Sequence, residues 1–194
     1  MIRRSAYMLL GVAALSLAAM AQPVREQGQA EFWKELQKLC GKAFAGTVAA
    51  APADDTTFKG KPLVMHVRAC EPGRVRIPFF VADDRSRTWV LTQSDGRIAL
   101  KHDHRHEDGK PDAITMYGGT ASNSGSVTLQ MFPADQETTD LISAAASNVW
   151  WIELVPGRHF TYNLRRVGTD RYFSLKFDLS HTVKTPEAPW GWTD

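Results

Sequence analysis

Hydrophobic and polar residues alternate along most of the chain, in short runs separated by clusters of Pro, Gly, Asp and Asn. The two clearest runs are residues 63–69 and 75–81, and Glu71-Pro72-Gly73 between them has the composition of a turn. Because successive side chains of a strand point to opposite faces, this pattern predicts a β-hairpin with one buried face. The same alternation predicts further strands at residues 42–50, 87–93, 97–106, 113–117, 126–132, 148–155, 159–167 and 171–179.

Two segments have a helical pattern instead. In residues 30–39 the large apolar side chains recur at helical spacing, and Gly41 follows as a stop signal. Residues 134–146 interrupt the alternation, are rich in Ala, and follow Pro133 with acidic residues in the first turn. The sequence therefore predicts a short N-terminal helix and one helix inserted late in the sheet.

The number and spacing of the strands predict the fold class. Many short antiparallel strands are typical of a sandwich or a closed barrel. The helix before the first strand, the mostly meandering strand order and the single core favour the barrel. We therefore expect a mainly β protein, an antiparallel up-and-down β-barrel of about 8–10 strands. Residues 22–194 form a single domain in this interpretation, since no stretch resembles a linker between domains.

This layout resembles the calycin group, which includes the lipocalins and the fatty-acid-binding proteins. The resemblance covers most of the chain after residue 21 and lies in the number and order of strands. Leu39-Cys40-Gly41-Lys42-Ala43-Phe44 stands where lipocalins have their opening Gly-x-Trp, although the tryptophan is absent. The resemblance implies a lipocalin-like internal cavity for a small, mainly apolar ligand.

The N-terminus has the features of a secretory signal peptide. Arg3 and Arg4 precede an apolar run over residues 8–20, and Ala19-Met20-Ala21 supplies small residues at both recognition positions for cleavage. The run is shorter than the roughly 20 residues that a membrane-spanning helix needs. We therefore expect residues 1–21 to be removed, no membrane span, and a periplasmic or secreted protein.

Charge and cysteine content change this picture in two ways. Removing residues 1–21 takes away two of the 23 basic residues and none of the 21 acidic ones, which leaves no net charge. Nucleic-acid binding, which needs a positive excess, is therefore not expected. Cys40 and Cys70 are the only cysteines in the sequence. In an oxidising compartment such a pair predicts a disulfide bond.

The most informative polar motif is a row of histidines. His102, His104 and His106 alternate with charged residues and continue the face of apolar Ile98 and Leu100. If that face is the barrel interior, the three rings line the cavity or its mouth. They are then either a polar rim or polar contacts for an organic ligand.

A metal or haem site is the remaining hypothesis for the histidine row. His102 and His106 are about 13 Å apart in a regular strand, too far to share one ion. Adjacent members such as His102 and His104 could share a metal, with a third ligand from another strand. The candidates for that ligand are His66, His159 and His181.

A second candidate pair comes from the strand at residues 159–167. Tyr162 and Arg166 fall on its apolar face. A buried arginine requires a partner, and a ligand carboxylate beside a tyrosine hydroxyl would provide one. Alternatively, the arginine leaves the barrel at the strand end.

The chain ends in Pro189-Trp190-Gly191-Trp192. An exposed pair of tryptophans would be an adhesive patch, so we expect this tail to pack against its own barrel and plug one end. Docking on a partner is the alternative.

No catalytic motif is present. The sequence contains no Gly-x-Ser-x-Gly elbow, His-Glu-x-x-His helix, phosphate-binding glycine loop or dinucleotide fingerprint. It therefore identifies neither an enzyme activity nor a cofactor. The leading hypothesis is an exported barrel that binds a small apolar or amphipathic ligand in its interior. The alternatives are a metal- or haem-binding protein using His102, His104 and His106, and a structural or interaction module whose core is filled by its own side chains.

Overall fold

A computed structural model describes residues 24–192, with side chains from residue 28. The predicted signal peptide, residues 1–21, lies outside the described residues. Helix α1 spans Val24–Gln37, helix α2 spans Gln136–Leu141, and a 3-10 turn follows at Ser143–Ala145. The strands are β1 (Ala43–Ala50), β2 (Leu63–His66), β3 (Ala69–Glu71), β4 (Arg74–Val81), β5 (Asp84–Ser94), β6 (Arg97–His104), β7 (Tyr117–Thr120), β8 (Leu129–Pro133), β9 (Asn148–Val155), β10 (His159–Arg166) and β11 (Tyr172–Asp178).

The strands form one antiparallel sheet that curls into a nearly closed barrel. Neighbours follow chain order except at one place, where β1 pairs with β11, for example Val48 with Leu175. Strand β3 continues the direction of β2 and also pairs with β4. The predicted mainly β, up-and-down barrel with two helices is therefore confirmed, and its general shape is consistent with a calycin-like fold.

The barrel is left open between β7 and β8, and a threonine bridges this seam. Thr138 of α2 accepts a hydrogen bond from the Gly118 N–H at 2.6 Å and donates one to the Gly118 carbonyl at 2.8 Å. A Cβ on Gly119 would lie 1.8 Å from the Pro133 carbonyl oxygen, so only glycine permits this approach. The inserted helix thus joins two sheet edges that do not pair with each other.

Helix α1 closes one end of the barrel. Phe32 and Leu36 are inaccessible to solvent and belong to the same hydrophobic core as the inward side chains of the strands. Gln29 Nε2 donates to the Asn123 carbonyl at 2.8 Å, which ties the helix to the loop between β7 and β8. The predicted disulfide between Cys40 and Cys70 is present and anchors the chain after α1 to β3.

Large aromatic side chains fill the middle of the barrel interior. Phe79, Trp89, Phe132, Phe160 and Phe177 are all buried. Trp89 stacks on Phe79 with ring centroids 4.8 Å apart, and Phe177 meets Phe79 edge to face at 5.9 Å. This part of the interior is therefore a packed core and not a cavity.

An apolar strip lies on the outside of the barrel, across β4 and β5. Phe80 and Val90 point away from the core by strand alternation, yet they are 5% and 8% exposed. Pro189, near the end of the described chain, is also buried. This burial indicates that the C-terminal segment, residues 180–192, covers the strip.

Four contacts hold the C-terminal segment in place. The Val183 N–H donates to the Ala43 carbonyl at 2.9 Å, and the Trp190 N–H donates to the Arg85 carbonyl at 3.2 Å. Glu187 forms an ion pair with Arg85 at 2.6 Å. The guanidinium of Arg76 lies 4.3 Å from the ring centroid of Trp192. The tail therefore docks on its own barrel, as expected, but along the outer wall and not in a barrel end.

Several strand boundaries differ from the sequence-based prediction, and two of the differences have a local cause. Residues 113–116 are a loop, and β7 starts at Tyr117, after Met116 adopts a positive φ of 57°. Strand β8 starts at Leu129, because the Ser126 side chain accepts from the Thr128 and Leu129 N–H groups and holds a turn there. Neither helix within residues 24–192 is long and apolar enough to cross a membrane.

Candidate functional site

The candidate residues gather at the open end of the barrel, opposite α1. His102 and His104 lie at the end of β6, Tyr117 begins β7, and Tyr162 lies in the middle of β10. Antiparallel pairing brings these strand ends together on one rim. The sequence pattern had placed His102 and Tyr162 on inward faces, and both side chains are buried.

His102 is fixed by two hydrogen bonds inside the barrel. Its Nδ1 lies 2.9 Å from the Tyr117 carbonyl oxygen, which can only accept, so Nδ1 carries the proton. Its Nε2 then accepts from the hydroxyl of Tyr162 at 2.8 Å. Burial lowers the pKa of His102 to about 3. The ring is therefore neutral at physiological pH, and both of its nitrogens are occupied.

Tyr162 is equally constrained. Its hydroxyl donates to His102 at 2.8 Å. Burial raises the pKa of Tyr162 well above its usual value. Tyr162 and His102 thus form a directed chain of hydrogen bonds that ends on the Tyr117 carbonyl of β7.

His104 lies at the rim. Its Nε2 is 3.1 Å from the Tyr117 hydroxyl, and its ring is half-buried. Burial and the positive charge of Arg87 lower the pKa of His104. Burial raises the pKa of Tyr117 to about 12, so its hydroxyl keeps its proton. His102, His104 and Tyr117 border a space of about 60 Å³, large enough for water but not for an organic ligand.

His106 does not share this environment. It lies past the end of β6 and is exposed, in a turn where its N–H donates to the Lys110 carbonyl at 2.9 Å. Gly109 adopts a positive φ of 82° there and closes the turn by donating to the His106 carbonyl. The three histidines of the predicted row therefore have different environments: His102 lies inside the barrel, His104 at the rim and His106 in solvent.

The other histidines do not converge on the row. His66 is buried on the outer side of β2, His159 lies 3.2 Å from Glu153, and His181 is exposed on the C-terminal segment. No group of three or more His, Cys, Asp or Glu side chains in the described part of the chain is arranged to hold a metal ion. A metal at His102 and His104 stays a prediction without a third ligand in view.

A cleft of about 250 Å³ opens beside the histidines, between β9, β10 and the loops at the barrel mouth. Five aromatic side chains line it, from Phe58, Tyr117, Trp150, Tyr162 and Phe173. Aliphatic side chains from a rim loop, from β10 and from the segment just after α2 complete the apolar part of the lining. Tyr162 and Arg166, which the sequence had paired, both line this cleft.

Two arginines supply positive charge in the cleft. The Arg166 Nε–H donates to Asn148 Oδ1 at 3.0 Å, and the Arg171 guanidinium lies 5.0 Å from the Phe173 ring centroid. Among the described side chains, residues 28–192, no carboxylate lies within ion-pair distance of either arginine. Such a pair of unneutralised cations beside an apolar surface is suited to an anionic group.

Sequence reasoning identified Tyr162 and Arg166 but not the other residues of the cleft, and three of these are informative. Arg171 has the same strand parity as Phe173, so the alternation of the last strand contained the signal for it. Asn148 opens β9, and Phe58 lies in the loop between β1 and β2. Their positions depend on how the loops fold over the mouth, which no periodicity indicates.

Comparison with known proteins adds no assignment to this geometry. The chain matches no protein-family model, and searches of curated proteins and of solved structures found no match. The likeness to calycins therefore rests on the general shape of the barrel.

Proposed function

We propose that this protein binds a small amphipathic organic ligand in the cleft at its open end. The observation that carries this proposal is the combination, in one cleft of about 250 Å³, of five aromatic side chains with Arg166 and Arg171, neither paired with a described carboxylate. Ligand sites are mostly apolar hollows with a few placed polar groups, and this cleft has that composition.

The surroundings of the cleft support this function. The strands behind it are paired along their length, and the hydrogen bonds of His102 to Tyr162 and to the Tyr117 carbonyl hold its inner wall. A wall that is already ordered loses little entropy on binding. Exposed apolar side chains of Ile114, Met116, Leu141 and Val167 lie around the mouth, as at surfaces that contact apolar ligands.

Titration calorimetry with three probes tests the proposal. The probes are 2-naphthol, 2-naphthoate and octanoate, each small and amphipathic. We expect at least one of them to bind with a stoichiometry of about one per chain. Absence of heat from all three would contradict the proposal.

A matched pair of variants locates the binding. Ile114 lines the cleft and Val127 lies at the opposite end of the barrel, and both are exposed, so a tryptophan can replace either without disturbing the core. Ile114→Trp should abolish binding because the indole occupies the cleft, whereas Val127→Trp should bind as the natural chain does. Equal binding by both variants would place the ligand elsewhere.

We further propose that the protein acts outside the cytoplasm, in the periplasm or after secretion. The features that support export are the Arg3-Arg4 and apolar pattern of the first 21 residues and the disulfide between Cys40 and Cys70. N-terminal sequencing of the protein from fractionated cells tests this. Recovery outside the cytoplasm with Gln22 as first residue is expected, and recovery in the cytoplasm with an intact Met1 would refute it.

The packed aromatic core favours a second candidate function. The side chains of Phe79, Trp89, Phe160 and Phe177 fill the space around the barrel axis. A barrel filled in this way is suited to a structural or interaction module, which uses its outer surface and has no internal ligand. If none of the three probes binds, this structural or interaction role becomes the better proposal.

A further inference from the structure

The depth of the cleft limits the length of its ligand. Directly behind Tyr162 lies the indole of Trp89, with ring centroids 4.5 Å apart and planes within 19° of parallel. Trp89 is itself stacked on Phe79, and Phe160 and Phe177 complete the aromatic block. A close-packed interior of this kind offers no passage to a hydrocarbon chain. A bound molecule must therefore end at Tyr162.

The volume of the cleft limits the size of its ligand as well. Sites for drug-sized molecules enclose about 300–1,000 Å³. The cleft, at about 250 Å³, lies just below that range. One ring or two fused rings with a short substituent match this space, whereas a long-chain lipid does not.

The walls favour a planar ligand. Phe58, Tyr117, Trp150 and Phe173 come from four separate parts of the chain and present ring surfaces to one space. Tyr117 and Trp150 have ring centroids 6.0 Å apart at 40°, and Phe58 meets Phe173 edge to face at 5.5 Å. Aromatic rings gain additional energy from stacked and edge-to-face contacts with another ring. An aromatic ligand can make several such contacts at once.

The charges select an anion. Asn148 holds Nε of Arg166, and the two terminal nitrogens of that guanidinium have no hydrogen-bond partner among residues 28–192. Arg171 reaches the same cleft from the turn before β11, and its carbonyl accepts from the Arg166 N–H at 3.0 Å. Planar guanidinium groups match the two oxygens of a carboxylate.

We infer that the cleft binds a compact aromatic carboxylate, with its ring between the aromatic walls and its carboxylate on Arg166 and Arg171. The inference rests on the proposed function, because it names the ligand class of the same cleft. In this orientation the charge stays at the solvent-facing mouth and the ring points toward Tyr162. Desolvation of the carboxylate is therefore partial, and both arginines stabilise it.

A comparison of matched ligands tests the charge requirement. Calorimetry compares 2-naphthoate with 2-naphthamide, which has nearly the same shape and no charge. Loss of charge-assisted hydrogen bonds should weaken binding of the amide by about tenfold or more. Hexadecanoate, which has the same charged group on a long chain, should not displace 2-naphthoate.

Three arginine variants test the assignment of the residues. Arg166→Gln and Arg171→Gln should each weaken 2-naphthoate binding by about tenfold and leave 2-naphthamide binding nearly unchanged. Arg165→Gln is the control, because Arg165 is exposed on the opposite face of the same strand. We expect Arg171→Gln to fold as the natural chain does, because the Arg171 side chain makes no hydrogen bond to residues 28–192. A change in its affinity therefore reports on the cleft and not on a folding defect.

The outcomes separate this inference from the proposed function. Equal affinity for 2-naphthoate and 2-naphthamide, or an Arg165→Gln effect as large as that of Arg166→Gln, would overturn the carboxylate assignment while ligand binding at the cleft stands. Tight binding of hexadecanoate would overturn the compact class in the same way. If no ligand binds to the natural chain, both the inference and the proposed function fail.

Discussion

The hydroxyl of Tyr162 donates a hydrogen bond to Nε2 of His102 across the barrel interior, at 2.8 Å. A hydrogen bond in this direction requires the neutral ring, because a protonated His102 would present a second N–H in place of the acceptor. Protonation of His102 would therefore break a hydrogen bond that holds Tyr162 in the wall of the cleft.

Replacing Tyr162 by Phe should destabilise the fold. The change removes the hydroxyl and leaves His102 Nε2 without a partner in a buried site, at a cost of about 1–3 kcal/mol. Urea unfolding measures this difference. Tyr172→Phe is the control, since Tyr172 is half-buried on the outer face, where its ring stacks on Trp151. An equal loss in both variants would contradict the role of the pair.

Acid should weaken the fold through His102. Between the unfolded value near 6.5 and the folded pKa of about 3, the unfolded chain binds a proton that the folded chain does not. Stability due to this group is therefore complete above about pH 6.5 and is lost as the pH falls toward 3. The slope reaches at most about 1.4 kcal/mol per pH unit for one proton.

Melting temperatures from pH 7 to pH 4 provide the measurement for His102. His102→Gln should show a shallower decline than the natural chain. Some decline should remain, because burial also lowers the pKa values of His66 and His104. Parallel curves for the natural chain and the variant would show that His102 is not the group responsible.

The seam between β7 and β8 should depend on Thr138. Thr138→Val keeps the shape but removes both hydrogen bonds to Gly118, which leaves the buried N–H of that residue unpaired, while its carbonyl still accepts from the Asp135 N–H. We expect a loss of about 1–3 kcal/mol in urea unfolding. Thr139→Val serves as control, because its hydroxyl only donates to the Asp135 carbonyl within the helix, and a comparable loss there would refute the special role of Thr138.

The disulfide should stabilise the chain chiefly through its unfolded state. Cys40 and Cys70 are 30 residues apart, for which the chain-entropy model gives about 3–4 kcal/mol. The double variant Cys40→Ser, Cys70→Ser should lose about that amount in urea unfolding and should no longer respond to a reducing agent. Unchanged stability of the natural chain on reduction would contradict this expectation.

Trp192 should contribute more than Glu187 to the stability that the C-terminal segment gives the fold. Trp192→Ala removes the ring that lies over Arg76 and should cost about 0.5–2 kcal/mol, measured by thermal and urea unfolding. Glu187→Gln breaks an ion pair whose carboxylate side chain is 78% exposed, and little change is expected. The reverse order of effects would mean that the segment is held by charge and not by the aromatic contact.

The alternation of apolar and polar residues predicted the barrel because successive side chains of a strand point to opposite faces in any β-sheet. Phe160, Tyr162 and Leu164 face the core as their spacing requires, and the period change before Gly41 marks α1. The strand order followed from short connections between neighbours. The predicted strand at residues 113–117 began too early. The turn at Gly109 and the positive φ of Met116 extend the loop as far as residue 116, beyond the polar residues from which it was predicted.

The site was only half predictable. Tyr162 and Arg166 follow from strand parity, and His102 from its position after Leu100. The row could not show that β6 ends at His104, which places His106 in solvent. Phe58 and Asn148 reach the cleft through contacts between distant parts of the chain, and such contacts have no periodic signature.

The pairing of β1 with β11 has a consequence for how the molecule forms. Residues 43–50 find their final neighbour only when residues 172–178 arrive, so the first strand keeps an unsatisfied edge until nearly the whole chain is available. Contacts of such long sequence separation slow the final step of folding. A polypeptide whose first strand stays unpaired for that long is accessible to chaperones, and its barrel closes only when β1 meets β11.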